Sequence, residues 1–346
     1  MVARTPRATT SPKEQLPRMT SPVSTEAAAR PAPAASPTRP NRPRRRGDRV
    51  FSASALFAGA IILITLAAVA IFLIVQGLPG MFSDPNGISL LAGKDFWSYV
   101  GPLVFGTIWA AFLALLISVP LAIGIALFIS HYAPRKLATP LGYVVDLLSA
   151  VPSVVFGLWG ILVLAPAVQP VYAWLEQHAS WIPLFAGPVS STGRTILTAA
   201  LVLAVMVLPI MTAICREVFL QTPVLHEEAA LALGATRWEM IRVSVLPFGR
   251  PGIISAAMLG LGRALGETMA VAMVLSATGA VRFQLLTAAN PSTIAANIAL
   301  VFPESYGLNI NVLIATGLIL FVVTFAVNAL ARWVVNRRKD FSGANA

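Results

Sequence analysis

Six apolar stretches, each long enough to cross a membrane, constrain the fold of this chain more than any other feature. The clearest runs from Phe51 to Val75 without a charged side chain. A hydrocarbon core about 30 Å thick needs roughly 20 residues of helix to cross it. Because a bilayer offers no water to backbone amides, the sequence predicts an all-α membrane protein with six transmembrane helices. The other five stretches lie near residues 101–130, 142–166, 194–216, 251–276 and 309–333.

Composition supports a membrane location and sets the N-terminal tail apart. Hydrophobic residues make up 57% of the 346 residues and charged residues 11%, which excludes an ordinary soluble globular domain. Residues 1–49 hold 11 of the 25 Lys and Arg residues and 9 of the 26 Pro residues. Such a segment buries too little apolar surface to fold. We expect a disordered, basic, Pro-rich cytoplasmic tail at 1–49, followed by a six-helix transmembrane domain at 50–338.

The distribution of positive charge predicts the orientation. With both termini in the cytoplasm, the tail, residues 131–141 and 217–250, and the C-terminal end hold 21 of the 25 Lys and Arg residues, counting Arg216 and Arg332 at helix ends. This satisfies the positive-inside rule. The arginines next to the first span then have a topological role and can contact lipid headgroups, so we expect no nucleic-acid partner. The positive charges expected to face outward are Lys94, Arg194 and Arg282.

Two charges interrupt the fifth apolar stretch. Arg263 and Glu267 are four residues apart, which in a continuous helix places them on one face. A charge at the bilayer centre costs about 2.5 to 3.5 kcal/mol on insertion scales and needs compensation. The pair either lines a polar route or is an ion pair that only fixes helix packing. On a polar route, Arg263 suits an oxyanion because its planar fork donates two hydrogen bonds at once, and Glu267 would hold Arg263 when substrate is absent.

Glycines surround the charged pair. Gly262 and Gly266 form a small-xxx-small pattern that allows another helix to approach closely, and Gly260 precedes Gly262 by two residues. The sequence therefore predicts that this stretch packs against another helix or lines a pore.

Two features of the third stretch leave alternatives open. Asp146 lies near its predicted cytoplasmic start, where a solvated carboxylate at a helix N-terminus is the simpler interpretation. Val151-Pro152-Ser153 and Gly157-Leu-Trp-Gly160 interrupt the helical pattern. They indicate either a kink beside the route or a plain packing kink.

The cytoplasmic loop at 217–250 carries local helix signals. Thr222 and Pro223 are typical of an N-cap and a first helical residue, and Gly234 is typical of a helix end. Thr236 and Glu239 form the pattern of a capping box that opens a second helical piece, which we expect to end before Pro247.

Catalytic and metal-binding motifs are missing from the sequence. There is no phosphate loop of the G-x-x-x-x-G-K-[ST] type, no G-x-S-x-G and no H-E-x-x-H. The single Cys and three scattered His residues do not form a metal-binding pattern. We therefore expect no catalytic residue, no metal site and no cofactor bound by this chain, and any ATP would be hydrolysed by another subunit.

Two motifs resemble those of a known family. Glu228-Ala229-Ala230 with Gly234 and Leu246-Pro247 resembles the cytoplasmic EAA loop of bacterial ABC importer permeases, although Ser244 stands where the family has an aliphatic residue. The run from Gly260 to Val271, with Arg-Ala-Leu-Gly-Glu-Thr at its centre, is similar to the PstC-type permeases of phosphate importers. The resemblance covers most of residues 100–338 but not the tail.

This resemblance implies the type I ABC importer permease fold for the six-helix domain and import of inorganic phosphate across the bacterial plasma membrane. It implies a PstA-type sister permease, PstB-type ATPase subunits that use ATP and magnesium, and a PstS-type extracytoplasmic phosphate-binding protein. It also implies that residues 226–239, within the EAA loop at 217–250, form a coupling helix. This helix would dock on the ATPase through Glu228, Ala229, Ala230 and Gly234.

Other functions remain open at the level of the residues. The chain could carry another oxyanion such as sulfate or molybdate, or act as a stand-alone secondary transporter or channel. A membrane-embedded enzyme is disfavoured, because the spans hold a single close acid–base pair with no His or nucleophile beside it.

Overall fold

The computed structural model describes residues 46–339. The tail predicted at 1–49 lies almost wholly outside the described residues, and its disorder stays a prediction. The chain divides into two units, residues 1–59 and 60–346. Apart from the beginning of the first helix, every described element belongs to the second unit.

Within the described residues the chain is α-helical, and the all-α prediction is confirmed. The α-helices are α1 (Arg46–Phe82), α2 (Phe96–Leu127), α3 (Arg135–Ser149), α4 (Ser153–Trp159), α5 (Ala165–Ala179), α6 (Ile196–Leu220), α7 (Val224–Ala232), α8 (Arg237–Met240), α9 (Leu246–Leu265), α10 (Met269–Val274), α11 (Ile294–Val301) and α12 (Leu308–Lys339). π-Helical turns follow α2 at Phe128–Tyr132, join α4 to α5 at Gly160–Leu164 and join α8 to α9 at Ile241–Val245.

Six helical segments of this part of the chain are long and apolar enough to cross a membrane, as the sequence predicted. They are Val50–Phe82, Phe96–Tyr132, Ser153–Ala179, Ile196–Leu220, Arg237–Leu265 and Leu308–Trp333. Four of them overlap closely with the predicted spans, whereas the third and fifth are displaced along the sequence.

The third span begins at Ser153, not near residue 142 as the sequence suggested. Pro152 has extended backbone angles and no amide to donate, so α3 ends before it and a new helix starts after it. Asp146 therefore lies on the separate helix α3. Its side chain is half exposed, as expected of a solvated group, but the expected helix N-terminus is wrong, because Asp146 lies in the last turn of α3. Its carboxylate lies 3.8 Å from a guanidinium nitrogen of Arg216.

The fifth span begins earlier and ends earlier than predicted. Helix continues from α8 through the π-turn into α9, so the second helical piece does not end before Pro247. Pro247 lies two residues after the π-turn at Ile241–Val245, so this proline sits within continuous helix and does not end it. The span then stops at Leu265, and the predicted continuation to residue 276 is wrong.

The core is centred on α6, which packs against α2 and α9. Its inward residues Leu203, Val207 and Met211 are 1% exposed or less. The segment between α10 and α11 folds back into this core although it forms neither helix nor extended strand. There the carbonyl of Leu286 accepts a hydrogen bond from the backbone N–H of Ser190 at 2.9 Å, so the segment is tied to the rest of the structure.

Candidate functional site

Arg263 lies in the last turn of α9, two residues before the helix ends. The residue is partly exposed, and its Nε atom is buried without a hydrogen-bond partner in the described part of the chain. A buried guanidinium donor without an acceptor is costly, because the group has left water and makes no replacement hydrogen bond. The position therefore favours an anionic partner from outside this chain.

Glu267 does not form an ion pair with Arg263, so the expectation that it holds Arg263 is wrong for this structure. The ion pairs found between described residues are His131–Glu227 and Arg216–Asp146. Glu267 is 8% exposed, and its Oε1 accepts a hydrogen bond from the backbone N–H of Ala270 at 3.1 Å. The carboxylate thus caps the start of α10, where the helix dipole favours negative charge.

A break in the helix explains this separation. The predicted single helix would have placed Arg263 and Glu267 on one face, but α9 ends at Leu265. The N–H of the next residue, Gly266, donates to the carbonyl of Gly262 at 3.3 Å. The hydroxyl of Thr268 adds a hydrogen bond to the carbonyl of Gly266 at 3.2 Å. Glu267 therefore lies between two helices, and its side chain serves the second one.

Helix α10 packs against two glycines of the third span. A Cβ atom at Gly157 would lie 3.0 Å from Ala270 Cα, and one at Gly160 would lie 2.8 Å from Val274 Cγ2. Only a residue without a side chain allows so close an approach. The Gly157 to Gly160 motif, which the sequence left between two kink interpretations, forms the surface that receives α10, and a π-turn begins at Gly160.

Arg194 contacts the opposite end of α10. Its Nη2 donates to the carbonyl of Leu275 at 3.4 Å, and its Nε is buried without a partner among the described residues. Sequence reasoning placed Arg194 only as an extracytoplasmic charge. The signal that could have found it, a contact between residues 81 positions apart, is not visible in one sequence.

Asn290 is a second residue that sequence reasoning missed. It is fully buried, and its Nδ2 donates to the carbonyls of Thr287 at 2.9 Å and Ser276 at 3.2 Å. Its Oδ1 accepts from the N–H of Ile196 at 3.2 Å. One amide thus ties the segment after α10 to the start of α6.

The three glycines near Arg263 have different surroundings. A Cβ at Gly260 would lie 2.7 Å from Met211 Sδ, so this glycine allows close packing of α9 on α6. Gly262 has nothing within 4 Å of such an atom, and Gly266 has only the carbonyl of Gly262. The small-residue pattern at Gly262 and Gly266 is therefore not used by contacts within the described chain, and its role in helix packing stays a prediction.

The hairpin of α7 and α8 has the local structure that its sequence signals predicted, with one shift. Gly234 adopts a positive φ of 86°, and Thr236 and Glu239 form both hydrogen bonds of the capping box. The N-cap of α7 is Pro223 rather than Thr222, whose hydroxyl is buried without a partner in the described structure.

The predicted docking residues lie on this hairpin. Glu228, Ala229 and Gly234 are exposed, whereas Ala230 is partly buried and packs on the main core. Glu227, next to Glu228, points inward, and its Oε1 lies 3.3 Å from Nε2 of His131. The two adjacent glutamates therefore face different surroundings.

Metal-ligating side chains do not cluster in the part of the chain that the structure describes. No group of three or more His, Cys, Asp or Glu residues in residues 46–339 could hold an ion. Cys215 is buried on α6.

Comparison with known proteins points to one family. A family model described as a binding-protein-dependent transport system inner membrane component matches residues 118–340. A phosphate transport system permease protein PstC 2 of Mycobacterium tuberculosis is 48% identical over 303 residues, which cover 84% of this chain and 92% of that protein. The phosphate transport system permease protein PstC of Mycobacterium leprae is 42% identical over 304 residues, which cover 85% and 95%.

One solved structure is similar at a lower level. An inward-facing conformation of the MetNI methionine ABC transporter matches with a TM-score of 0.44 and 18% identity, covering 68% of this chain and 94% of that chain. The residues that the family model matches include both the α7–α8 hairpin and the helix break after Arg263.

Proposed function

This chain belongs to the family of binding-protein-dependent transport system inner membrane components, among the PstC-type permeases, and we propose that it forms half of an ATP-driven import pathway for inorganic phosphate. The relatives' names favour phosphate over sulfate, molybdate or a stand-alone transporter. It is a multi-pass protein of the inner membrane. The positive-inside distribution supports cytoplasmic termini.

The family supports a complex of several subunits. We propose that the chain pairs with a PstA-type sister permease, that PstB-type ATPase subunits dock on the α7–α8 hairpin, and that a PstS-type protein delivers phosphate from outside. ATP and magnesium are bound by the ATPase subunits, and this chain binds no cofactor and catalyses no reaction itself. The exposed Glu228, Ala229 and Gly234 support the docking surface.

The buried, unpartnered Nε of Arg263, a residue without an ion pair in the described chain, is the observation that carries the phosphate pathway. In a low-dielectric surrounding, a fixed positive charge lowers the energy of a passing anion far more than it does in water. A planar guanidinium can donate two hydrogen bonds to two phosphate oxygens. Because Glu267 is engaged with α10, Arg263 keeps its charge available to the substrate.

The exposed glycines next to Arg263 support a path between two permeases. Gly262 and Gly266 present bare backbone without a side-chain contact in the described chain. A helix of the sister permease can approach such a surface closely. Arg263 would then lie at the seam between the two permeases.

Replacement of Arg263 tests this function. In the complete complex reconstituted in liposomes, Arg263→Gln is expected to lower phosphate uptake about 100-fold. The loss of charge-assisted hydrogen bonding to phosphate should raise the free-energy barrier to transport by about 2.7 kcal/mol. Arg263→Lys should retain part of the uptake. The matched control is Arg282→Gln, which removes an exposed arginine charge elsewhere. Normal uptake by an assembled Arg263→Gln complex would remove Arg263 from the pathway.

A further inference from the structure

The end of α2 and the α7–α8 hairpin are joined by a largely buried side-chain contact. Nε2 of His131 lies 3.3 Å from Oε1 of Glu227. The His131 side chain is 8% exposed and the Glu227 side chain 23% exposed. These residues are 96 positions apart in the chain, so the contact belongs to the tertiary structure and not to a local turn.

Ser130 fixes the imidazole from its other side. Its Oγ lies 2.7 Å from Nδ1 of His131 and 2.8 Å from the carbonyl of Ala126. The hydroxyl has one proton to donate, either to the Ala126 carbonyl or to Nδ1. When the hydroxyl donates to Nδ1, the ring proton lies on Nε2, which then donates to the carboxylate of Glu227; when it donates to the Ala126 carbonyl, Nδ1 donates to Ser130 Oγ.

The π-turn at Phe128–Tyr132 sets the direction of this side chain. One added residue in a helical turn rotates the following side chains by about 100° around the axis. Single π-turns of this kind often occur at functional positions. The next residue, Tyr132, also contacts the hairpin, since the guanidinium of Arg237 lies 5.8 Å from its ring centre. That contact is exposed and therefore weaker.

The connections of α7 lead to three different transmembrane helices. Through the chain itself, α7 is joined to α6 on one side and to α8 and α9 on the other. The His131–Glu227 contact adds α2, which packs against both α6 and α9. Close to Arg263, a Cβ at Gly260 would lie 2.7 Å from Met211 Sδ of α6 and 3.6 Å from Leu115 Cδ2 of α2.

We propose that His131 is a positioning residue that makes α2 move together with α9 when the ATPase displaces α7. The proposal rests on the proposed function, since it requires an ATPase docked on the hairpin. Glu228 faces outward toward the ATPase, and Glu227 passes the displacement inward to His131. Without this contact, α9 shifts relative to α2 and the path around Arg263 opens without carrying phosphate.

The alternative is an ion pair that contributes only to stability, as many ion pairs of partly exposed residues do. The two interpretations differ in what they change. A purely structural pair alters the amount of assembled complex, whereas a transmitting pair alters how much phosphate is moved for each ATP hydrolysed. The ratio of these two rates in an assembled complex is therefore the deciding measurement.

The experiment uses the complete complex in liposomes and four variants. His131→Ala, Glu227→Ala and the double variant remove the contact, and Glu217→Ala removes a similar charge from an exposed position on α6 as the matched control. Both single variants should retain the ATPase subunits and lower phosphate transported per ATP about tenfold, the effect of losing one charge-assisted hydrogen bond. The double variant should be no worse than either single one.

A further variant separates docking from transmission. Glu228→Ala should reduce the amount of ATPase that co-purifies, which Glu227→Ala should leave unchanged. The proposal is overturned by an unchanged ratio in the His131 and Glu227 variants, by additive effects in the double variant, or by loss confined to the amount of complex. If the wild-type complex takes up no phosphate, the proposed function falls, and this inference falls with it.

Discussion

The α7–α8 hairpin and the segment around α10 both place short helices at the ends of the fifth span, but they are built in different ways. In the hairpin, neighbouring residues supply the helix ends: Gly234 takes the positive φ, and Thr236 with Glu239 forms the capping box. The start of α10 is also capped by a neighbouring residue, Glu267, but Gly160 and Arg194 hold this helix from distant parts of the chain.

The contrast indicates which helix can keep its shape when its surroundings change. A helix whose end groups are satisfied by its own neighbours needs no partner to retain them. Such a hairpin can move as a unit with an ATPase. In contrast, α10 depends on packing against the third span. The helix break after Arg263 therefore persists only while that packing is intact.

Adding a side chain to the glycine surface on which α10 packs should destabilise the protein most. Gly160→Ala adds a Cβ that would lie 2.6 Å from Val202 Cγ2 and 2.8 Å from Val274 Cγ2. Overpacking of this kind costs about 2 kcal/mol. We expect a lower unfolding temperature and faster amide hydrogen exchange in α10, with exchange in α7 unchanged. Gly124→Ala is the control, because nothing lies within 4 Å of its added atom. Equal effects of the two variants would contradict the close packing of α10 against Gly160.

Removing the cap of α10 should have an intermediate effect. Glu267→Ala deletes the acceptor of the Ala270 N–H and should cost about 1.5 kcal/mol. Hydrogen exchange at Ala270 reports the loss directly. Glu267→Gln retains an acceptor oxygen and should protect this amide better than alanine does. If both variants leave exchange at Ala270 unchanged, the carboxylate is not the cap and its contact with α10 has no energetic role.

A change in the hairpin should have the weakest effect of the three. Thr236→Ala removes the side-chain oxygen of the capping box and should cost about 1 kcal/mol. Faster exchange should be confined to α8, because the cap is exposed and local. Exchange that also rises in α10 would show that the two regions are coupled, and the contrast between them would be wrong.

Local signals accounted for much of the fold. The six spans were visible because a membrane helix must hide its backbone and therefore requires a long apolar run. The capping box was visible because its two partners lie within one helical turn. The boundaries of the third and fifth spans were not visible. The helix before the third span ends ahead of Pro152, whereas the helix of the fifth span continues through Pro247, and proline permits either outcome.

The candidate site was only partly visible. Arg263 and Glu267 stood out because charges in an apolar run are expensive. The sequence did not show that the two side chains are unpaired, because the helix break at Gly266 separates them. The contact between His131 and Glu227 joins residues of two separate segments, and nothing in their own neighbourhoods indicated it.

By itself the sequence determined the membrane environment of this protein, the number of spans, the family and the capping box of the hairpin, because each follows from composition or from residues close together in the chain. Only the tertiary structure decided which groups Glu267, Arg194 and His131 face, because those contacts depend on how the helices end and on segments that packing brings within hydrogen-bond distance.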